Sequence, residues 1–230
     1  MLQELADRYL RYGFKKMYQK MRQQGCNWNH KRVYRVYCDM QLNLRRKPKK
    51  RLPSRNRIAL TEPKKMNVNW SMDFMSDALI NGRAFRTVNI IDDCNREVIG
   101  IKASLSLPAI RVTEYLDQIA RERGYPMKLR LDNGPENISK IMVAWAKKHH
   151  VHIHYIQPGK PAQNAYIERF NRTYREEVLD MYLFRDIKEV QAITDKWMDE
   201  YNNERPHESL GNLTPQIFRQ QQIRSNNVLY

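Results

Sequence analysis

Acidic residues are scarce where the chain begins. Residues 1–65 hold 19 Lys and Arg against 4 Asp and Glu, and the remaining residues 22 against 21, so nearly all of the formal charge of +16 sits in the first part of a 230-residue chain. Long apolar runs are missing too. No stretch nears the roughly 18 consecutive apolar residues that a membrane-crossing helix needs, and MLQELADRYLRYGFKK breaks any signal-type run with charge. These absences exclude a spanning protein and lead us to expect a cytoplasmic one. Cysteine is sparse, with Cys26, Cys38 and Cys94 forming no CxxC pair, which excludes a disulfide scaffold and fits a reducing compartment. Zinc held by Cys26, His30 and Cys38 would lack a fourth ligand. What is present is material for a core: 41% hydrophobic residues, with 4 Trp, 13 Tyr and 6 Phe, exclude wholesale disorder. The basic excess calls for a polyanionic partner, nucleic acid first and an anionic membrane second.

The charge is densest in RRKPKKRLPSRNR, residues 45–57, with two prolines and no acid. That composition reads as a linker over 45–65, and its Arg45, Arg46, Lys47, Lys49, Lys50 and Arg51 as candidate DNA contacts. Ahead of it, residues 1–44 predict two short helices. One carries Phe14, Met17, Tyr18 and Met21 on a single face and ends at Gly25. The other is capped by Asn29, turns Val33, Val36, Tyr37 and Met40 inward, and leaves Lys31, Arg32 and Arg35 outside. Such a pair fits a helix-turn-helix-like DNA-binding unit, or a small bundle with a solvated basic face.

Beyond the linker, the apolar periodicity changes. Residues 68–75 and 84–92 read as strands joined by the Asn81-Gly82 turn, and 97–103 as a third. Pro108 opens a helix closed by Gly124. A strand over 127–131, a helix over 138–149, a strand over 151–156 and a helix from Ala165 follow. The order β-β-β-α-β-α-β-α is an α/β mixed five-stranded sheet flanked by helices, expected over 66–180, with a helical extension over 181–230. The helix over 186–201 places Ile187, Val190, Ile193, Trp197 and Tyr201 on one stripe, which covers either the core or a second subunit.

Three acids fall where sheet topology gathers side chains: Asp73 in the first strand, Asp132 at the end of the fourth, and Glu168 early in the helix after the fifth. Three converging carboxylates repel one another unless a divalent cation lies between them, and oxygen-only ligation suits Mg²⁺ or Mn²⁺. Two such ions can activate an attacking oxygen and stabilise a leaving one in phosphoryl transfer. Asp92, Asp93 and Asp186 read instead as turn or cap residues. Asn164, Glu168, Arg172 and Arg175 share one helical face, pairing the acid with groups suited to DNA phosphates, though an ordinary salt-bridged surface has the same spacing. Lys160 lies in the loop before them. His149, His150, His152 and His154 crowd together, as a metal site or simply as helix-end and edge-strand histidines.

Taken in order, these residues resemble a known family. Arg11-Tyr12-Gly13-Phe14-Lys15-Lys16 with Asn29-His30-Lys31-Arg32-Val33-Tyr34-Arg35, then Trp70-Ser71-Met72-Asp73-Phe74, Leu131-Asp132-Asn133-Gly134-Pro135-Glu136, and the block from Gln157 through Asn164 and Glu168 to Asn171 are similar to bacterial insertion-sequence transposases of the two-reading-frame type. In these, the second frame encodes a retroviral-integrase-like core. Tyr201-Asn202, Arg205-Pro206-His207, Leu210 and Thr214-Pro215 match the family's C-terminal block. The resemblance implies an RNase H-like fold and a DDE recombinase whose metal-binding triad is Asp73, Asp132 and Glu168. It also implies DNA cleavage and strand transfer at element ends, with Arg175 touching the end. The partners implied are element-end and target DNA, a second copy at least, and a helix-turn-helix protein from the upstream frame, in a nucleoid-associated setting. An inactive DNA-binding remnant and a nuclease on the same fold are the other readings. The chain departs from the family in beginning inside what resembles its first helix, and from retroviral integrases in lacking their His-His-Cys-Cys zinc domain.

Overall fold

The structure, a computed structural model, describes residues 1–44, 63, 65–157 and 161–227. The linker cations Arg45, Arg46, Lys47, Lys49, Lys50 and Arg51, and Lys160, lie outside the described residues. Contacts divide the chain into two compact units, Met1–Asn56 with Pro206–Leu213, and Arg57–Arg205 with Thr214–Tyr230.

The smaller unit contains α1 (Leu2–Arg8), α2 (Phe14–Gln23) and α3 (His30–Asp39). Its core joins Leu2, Leu5, Tyr9, Tyr12, Met17, Met21, Val33 and Tyr37. The sequence reading missed α1, whose seven residues are too short to show a helical period convincingly. Asn29 caps α3 by accepting from Lys31 N at 2.8 Å. Lys31, Arg32 and Arg35 are exposed as expected. Val36 and Met40, expected inside, are 39% and 37% exposed. A ten-residue helix buries only a narrow stripe here, and Val33 and Tyr37, at i and i+4, fill it.

In the larger unit, β1 (Asn69–Ala78), β2 (Ala84–Asp92), β3 (Val98–Ser104), β4 (Lys128–Leu131) and β5 (His152–Tyr155) form one sheet in the order β3-β2-β1-β4-β5. The first three are antiparallel, and β4 and β5 join β1 in parallel. Gly82, at φ +81°, supplies the left-handed turn between β1 and β2. The helices are α4 (Ala109–Arg123), α5 (Lys140–Lys148), α6 (Ala165–Tyr174), α7 (Ile187–Asn203) and α8 (Pro215–Asn227).

Both sheet faces are covered, and β1 shows how. Trp70 and Met72, with Phe74, join Val112 and Leu116 of α4 and Met142 and Trp145 of α5 in one core. Met75, from the alternate set, joins Ile167, Phe170 and Tyr174 of α6 and Val190 and Tyr201 of α7 in the other. Thus α7 packs on β3 and closes the second face of the sheet, so its apolar stripe serves the core. Trp145 and Trp197 both pack in these cores, as expected. Between α6 and α7, Arg175–Leu179 form a π-helical turn. Its Glu177 pairs with Arg205 just after α7, and Trp197 Nε1 donates to the same carboxylate at 3.1 Å.

Asp92 and Asp186 are turn and cap residues: Asp92 accepts from Asn67 N and Cys94 N, and Asp186 from Lys188 N and Glu189 N. Asp93 is not. It is fully buried, accepts from Ser71 Oγ at 2.6 Å and ion-pairs with Arg130 at 2.7 Å. Nothing in local sequence marks a partner 37 residues away on another strand.

Candidate active site

Alternation along β1 sends Asp73 to the α6 side of the sheet, where Asn171 waits. Asn171 Nδ2 donates to Asp73 Oδ2 at 2.8 Å, and Phe74 N donates to Oδ1 at 2.8 Å. Asn171 Oδ1 in turn accepts from Asn89 Nδ2 at 2.7 Å, and Asn89 is the cross-strand partner of Asp73. A chain of two amides therefore fixes the carboxylate between β1, β2 and α6.

Parallel pairing places the second acid beside the first. Ser71 pairs with Arg130, and Asp73 and Asp132 each stand two residues further along neighbouring strands, roughly 5 Å apart in strand spacing. Asp132 Oδ1 accepts from Gly134 N at 3.0 Å and Asn137 Nδ2 at 2.6 Å. Tyr155 OH donates to Asn137 O at 3.0 Å, tying that loop to β5. Gly134 is fitted closely, because a Cβ there would lie 3.0 Å from Asp132 Oδ1. Glu168 occupies the first turn of α6, where the helix N-terminus favours a negative charge, and is exposed.

The three acids feel one another. Burial pushes Asp73 up to about 6, Asp132 and Glu168 push the same way, and the hydrogen bonds from Phe74 and Asn171 oppose them. Among the described residues none of the three has an ion-pair partner, and neither Asp132 Oδ2 nor Glu168 accepts a hydrogen bond. All donors are oxygens carrying uncompensated negative charge, a set that fits a hard divalent cation. The carboxylates are not closed into a cage, however: among the described residues, no group of three or more His, Cys, Asp or Glu is arranged to hold a metal ion. That finding covers the Cys26, His30 and Cys38 set and the histidine cluster as well. His30 instead packs against the rings of Phe14 and Tyr18, and His149 stacks on Tyr125 with centroids 4.0 Å apart.

The proposed DNA contacts are placed unevenly. Arg172 is exposed. Arg175 donates to Asp77 Oδ2 at 2.8 Å and Ser76 O at 2.7 Å, so β1 holds it. Asn164 is buried rather than presented on the helix face. Sequence reasoning missed Asn89, Asn137 and Asn171, and also the ion pair of Arg86 with Glu136, which pulls Glu136 below its usual range. The one available signal was Asn171, one helical turn beyond Glu168.

Comparison with known proteins now adds to the geometry. The integrase core domain family matches residues 63–161 and again 149–215, and the HTH-like domain family matches residues 2–51. A 31.7 kDa protein of insertion element IS407 from Burkholderia multivorans is 38% identical over 217 residues, 94% of this chain and 78% of that protein. A 39.2 kDa protein of insertion element IS476 from Xanthomonas euvesicatoria is 37% identical over 217 residues, again 94% of this chain but 63% of its own length. Among solved structures, the catalytic core domain of HTLV-2 integrase in its trimeric form superposes with a TM-score of 0.50 at 13% identity, covering 66% of this chain and 95% of the core.

Proposed function

Since the chain belongs to the insertion-element transposases with an integrase core domain, we propose that it cuts one DNA strand at each element end and joins the freed 3′-OH to a target phosphodiester. Asp73, Asp132 and Glu168 are the reacting centre. The observation that carries this reading is Asp73, raised by burial and then by Asp132 and Glu168 from the end of β4 and the start of α6, with no ion-pair partner for any of the three among the described residues.

Bound Mg²⁺ or Mn²⁺, as two ions, would polarise the phosphodiester and favour the ionised form of the attacking oxygen. Asp73, Asp132 and Glu168 would hold them. The HTLV-2 core is itself a complex with magnesium. The other residues position. Asn171 and Phe74 N fix the Asp73 carboxylate, and Gly134 N and Asn137 fix Asp132 Oδ1, leaving Oδ2 and the Glu168 carboxylate to turn inward. No side chain need bond covalently to DNA, because water or the 3′-OH attacks phosphorus directly and the displaced oxygen leaves on the opposite side. Element ends and target are the DNA partners, and holding two ends together calls for at least two copies. A helix-turn-helix partner from the upstream frame and a nucleoid location accompany that reading. No helix among the described residues is long and apolar enough to cross a membrane.

The test is Asp132→Asn on a labelled element-end duplex with Mg²⁺, following nicked and joined products separately. Loss of both products with DNA binding retained is expected. Normal nicking by the variant would overturn the assignment, and nicking without joining by the wild-type chain would make it a nuclease.

A further inference from the structure

The sheet face that carries Asp73 continues onto β4 and β5, where nothing described so far uses it. On β5, Ile153 and Tyr155 pack toward the core shared with α4 and α5, so His152 and His154 point to the other side, and both are exposed. Parallel pairing puts Lys128 beside His152 and Arg130 beside His154. Further across the same face, Arg130 pairs with Ser71. The helices on that side pack elsewhere, α6 on β1 and β2 and α7 on β3. Among the described residues, Lys128, His152 and His154 are therefore exposed as a shelf along the β4–β5 edge of the sheet, over the buried Arg130. The shelf runs toward Asp132, which lies two residues beyond Arg130, roughly 7 Å along the strand.

The charge on this shelf depends on protons. Arg130 is paired with Asp93, which leaves Lys128 and any protonated histidine to supply positive charge here. Burial, and then Arg130, His152 and Lys128, hold His154 below its usual range. The element packed on the other face of β5 is α5, which meets it through apolar side chains including Trp145 and Ala146. Among the described residues, the charged or titratable groups that act on His154 are Arg130, His152 and Lys128, and Asp93 pairs with Arg130. A polyanion laid along the shelf would reverse the balance, drawing protons onto the histidines and up to two further positive charges with them.

We propose that Lys128, His152 and His154, backed by the buried Arg130, form a proton-linked binding surface for the DNA backbone beside the acid cluster. The proposal shares with the proposed function the premise that the partner is DNA, but not the roles of the three acids. The sign follows from linkage. DNA raises the affinity of the histidines for protons, so binding takes protons up, is tightest below the pKa of the bound state, and weakens as pH rises through it.

The experiment uses the full chain and a short fluorescent duplex in EDTA, so that no cleavage chemistry intervenes. Anisotropy titrations compare wild type, His152→Gln/His154→Gln and Lys128→Gln across a salt series at about pH 6 and about pH 8. Wild-type affinity should rise on acidification by about tenfold more than that of the double variant. The salt slope of wild type should exceed that of the double variant by about one to two at the lower pH and match it at the higher. Lys128→Gln should lose about one unit of slope at both. Titration calorimetry in buffers of different ionisation enthalpy should show proton uptake for wild type and less for the double variant. The substituted side chains are exposed, and matching melting curves check folding. Parallel pH dependence in wild type and the double variant, with equal proton uptake, would overturn the proposal. Loss of nicking in Asp132→Asn bears only on the acid assignment.

Discussion

Asp73 shows what one residue can report. It is a carboxyl group raised by burial to about 6 against an ordinary 3.8, and its acidic neighbours add to the shift. A group whose native pKa is raised takes up a proton on folding, so its contribution favours the native state at low pH and is lost as pH rises from about 4 through about 6. Asp73→Asn removes that titration while also changing the partnership with Asn171, a cost that does not depend on pH. The stability of the variant relative to wild type, measured by urea unfolding without divalent metal, should therefore improve as pH rises from about 4 to about 7, by at most about 3 kcal/mol. A flat difference would show that Asp73 is not held protonated by its surroundings. Residue-level chemistry was partly legible in the sequence. Asp73 stood within a strand, Asp132 at a strand end and Glu168 at a helix start, positions that sheet topology can bring together. The amides Asn171, Asn89 and Asn137 did not stand out, because asparagine is common and its role depends on what lies across the sheet.

Elements were legible where a period or a punctuating residue spoke for them. Asn29, Gly82 and Gly124 mark their turns and caps because a cap oxygen or a left-handed φ leaves few alternatives. The π-helical turn at Arg175–Leu179 left no such mark, being shaped by what packs around it. Its anchor is the ion pair of Glu177 with the buried Arg205, and Tyr174 OH shares a hydrogen bond with Thr194 Oγ1 at 2.7 Å just before it. Arg205→Ala strands Glu177 in a mostly buried place, a loss of about 3 kcal/mol or more. Chemical denaturation should show the drop, and Arg175, held by Asp77 and Ser76 at the start of the turn, should change its environment too. A melting point within a degree or so of wild type would show that the π turn stands without its ion pair.

The charge is a property of the whole molecule. Its excess lies in residues 1–65, and Lys31, Arg32 and Arg35 are exposed on α3 within a unit that matches the HTH-like domain family. Deleting residues 1–65 would not isolate that charge, because Pro206–Leu213 belongs to the same unit and would lose its packing. Neutralising Lys31, Arg32 and Arg35 together to Gln leaves that packing intact. The slope of log affinity against log salt should fall by about one for each residue that meets a phosphate. An unchanged slope would move the binding charge off α3.

By itself the sequence determined the succession of strands and helices through the mixed sheet, the concentration of basic charge in residues 1–65 and three acids as candidates, because periodicity, punctuation and composition are local quantities. Tertiary structure decided everything that rests on partners distant in sequence: Asp93 sealed against Arg130, α7 turned onto the sheet, Arg175 captured by β1, Asn171 bridging Asn89 to Asp73, and two histidines brought beside Lys128 and Arg130 on an open face. Each depends on pairing between strands or packing of a helix on a sheet, and no window of sequence contains both partners.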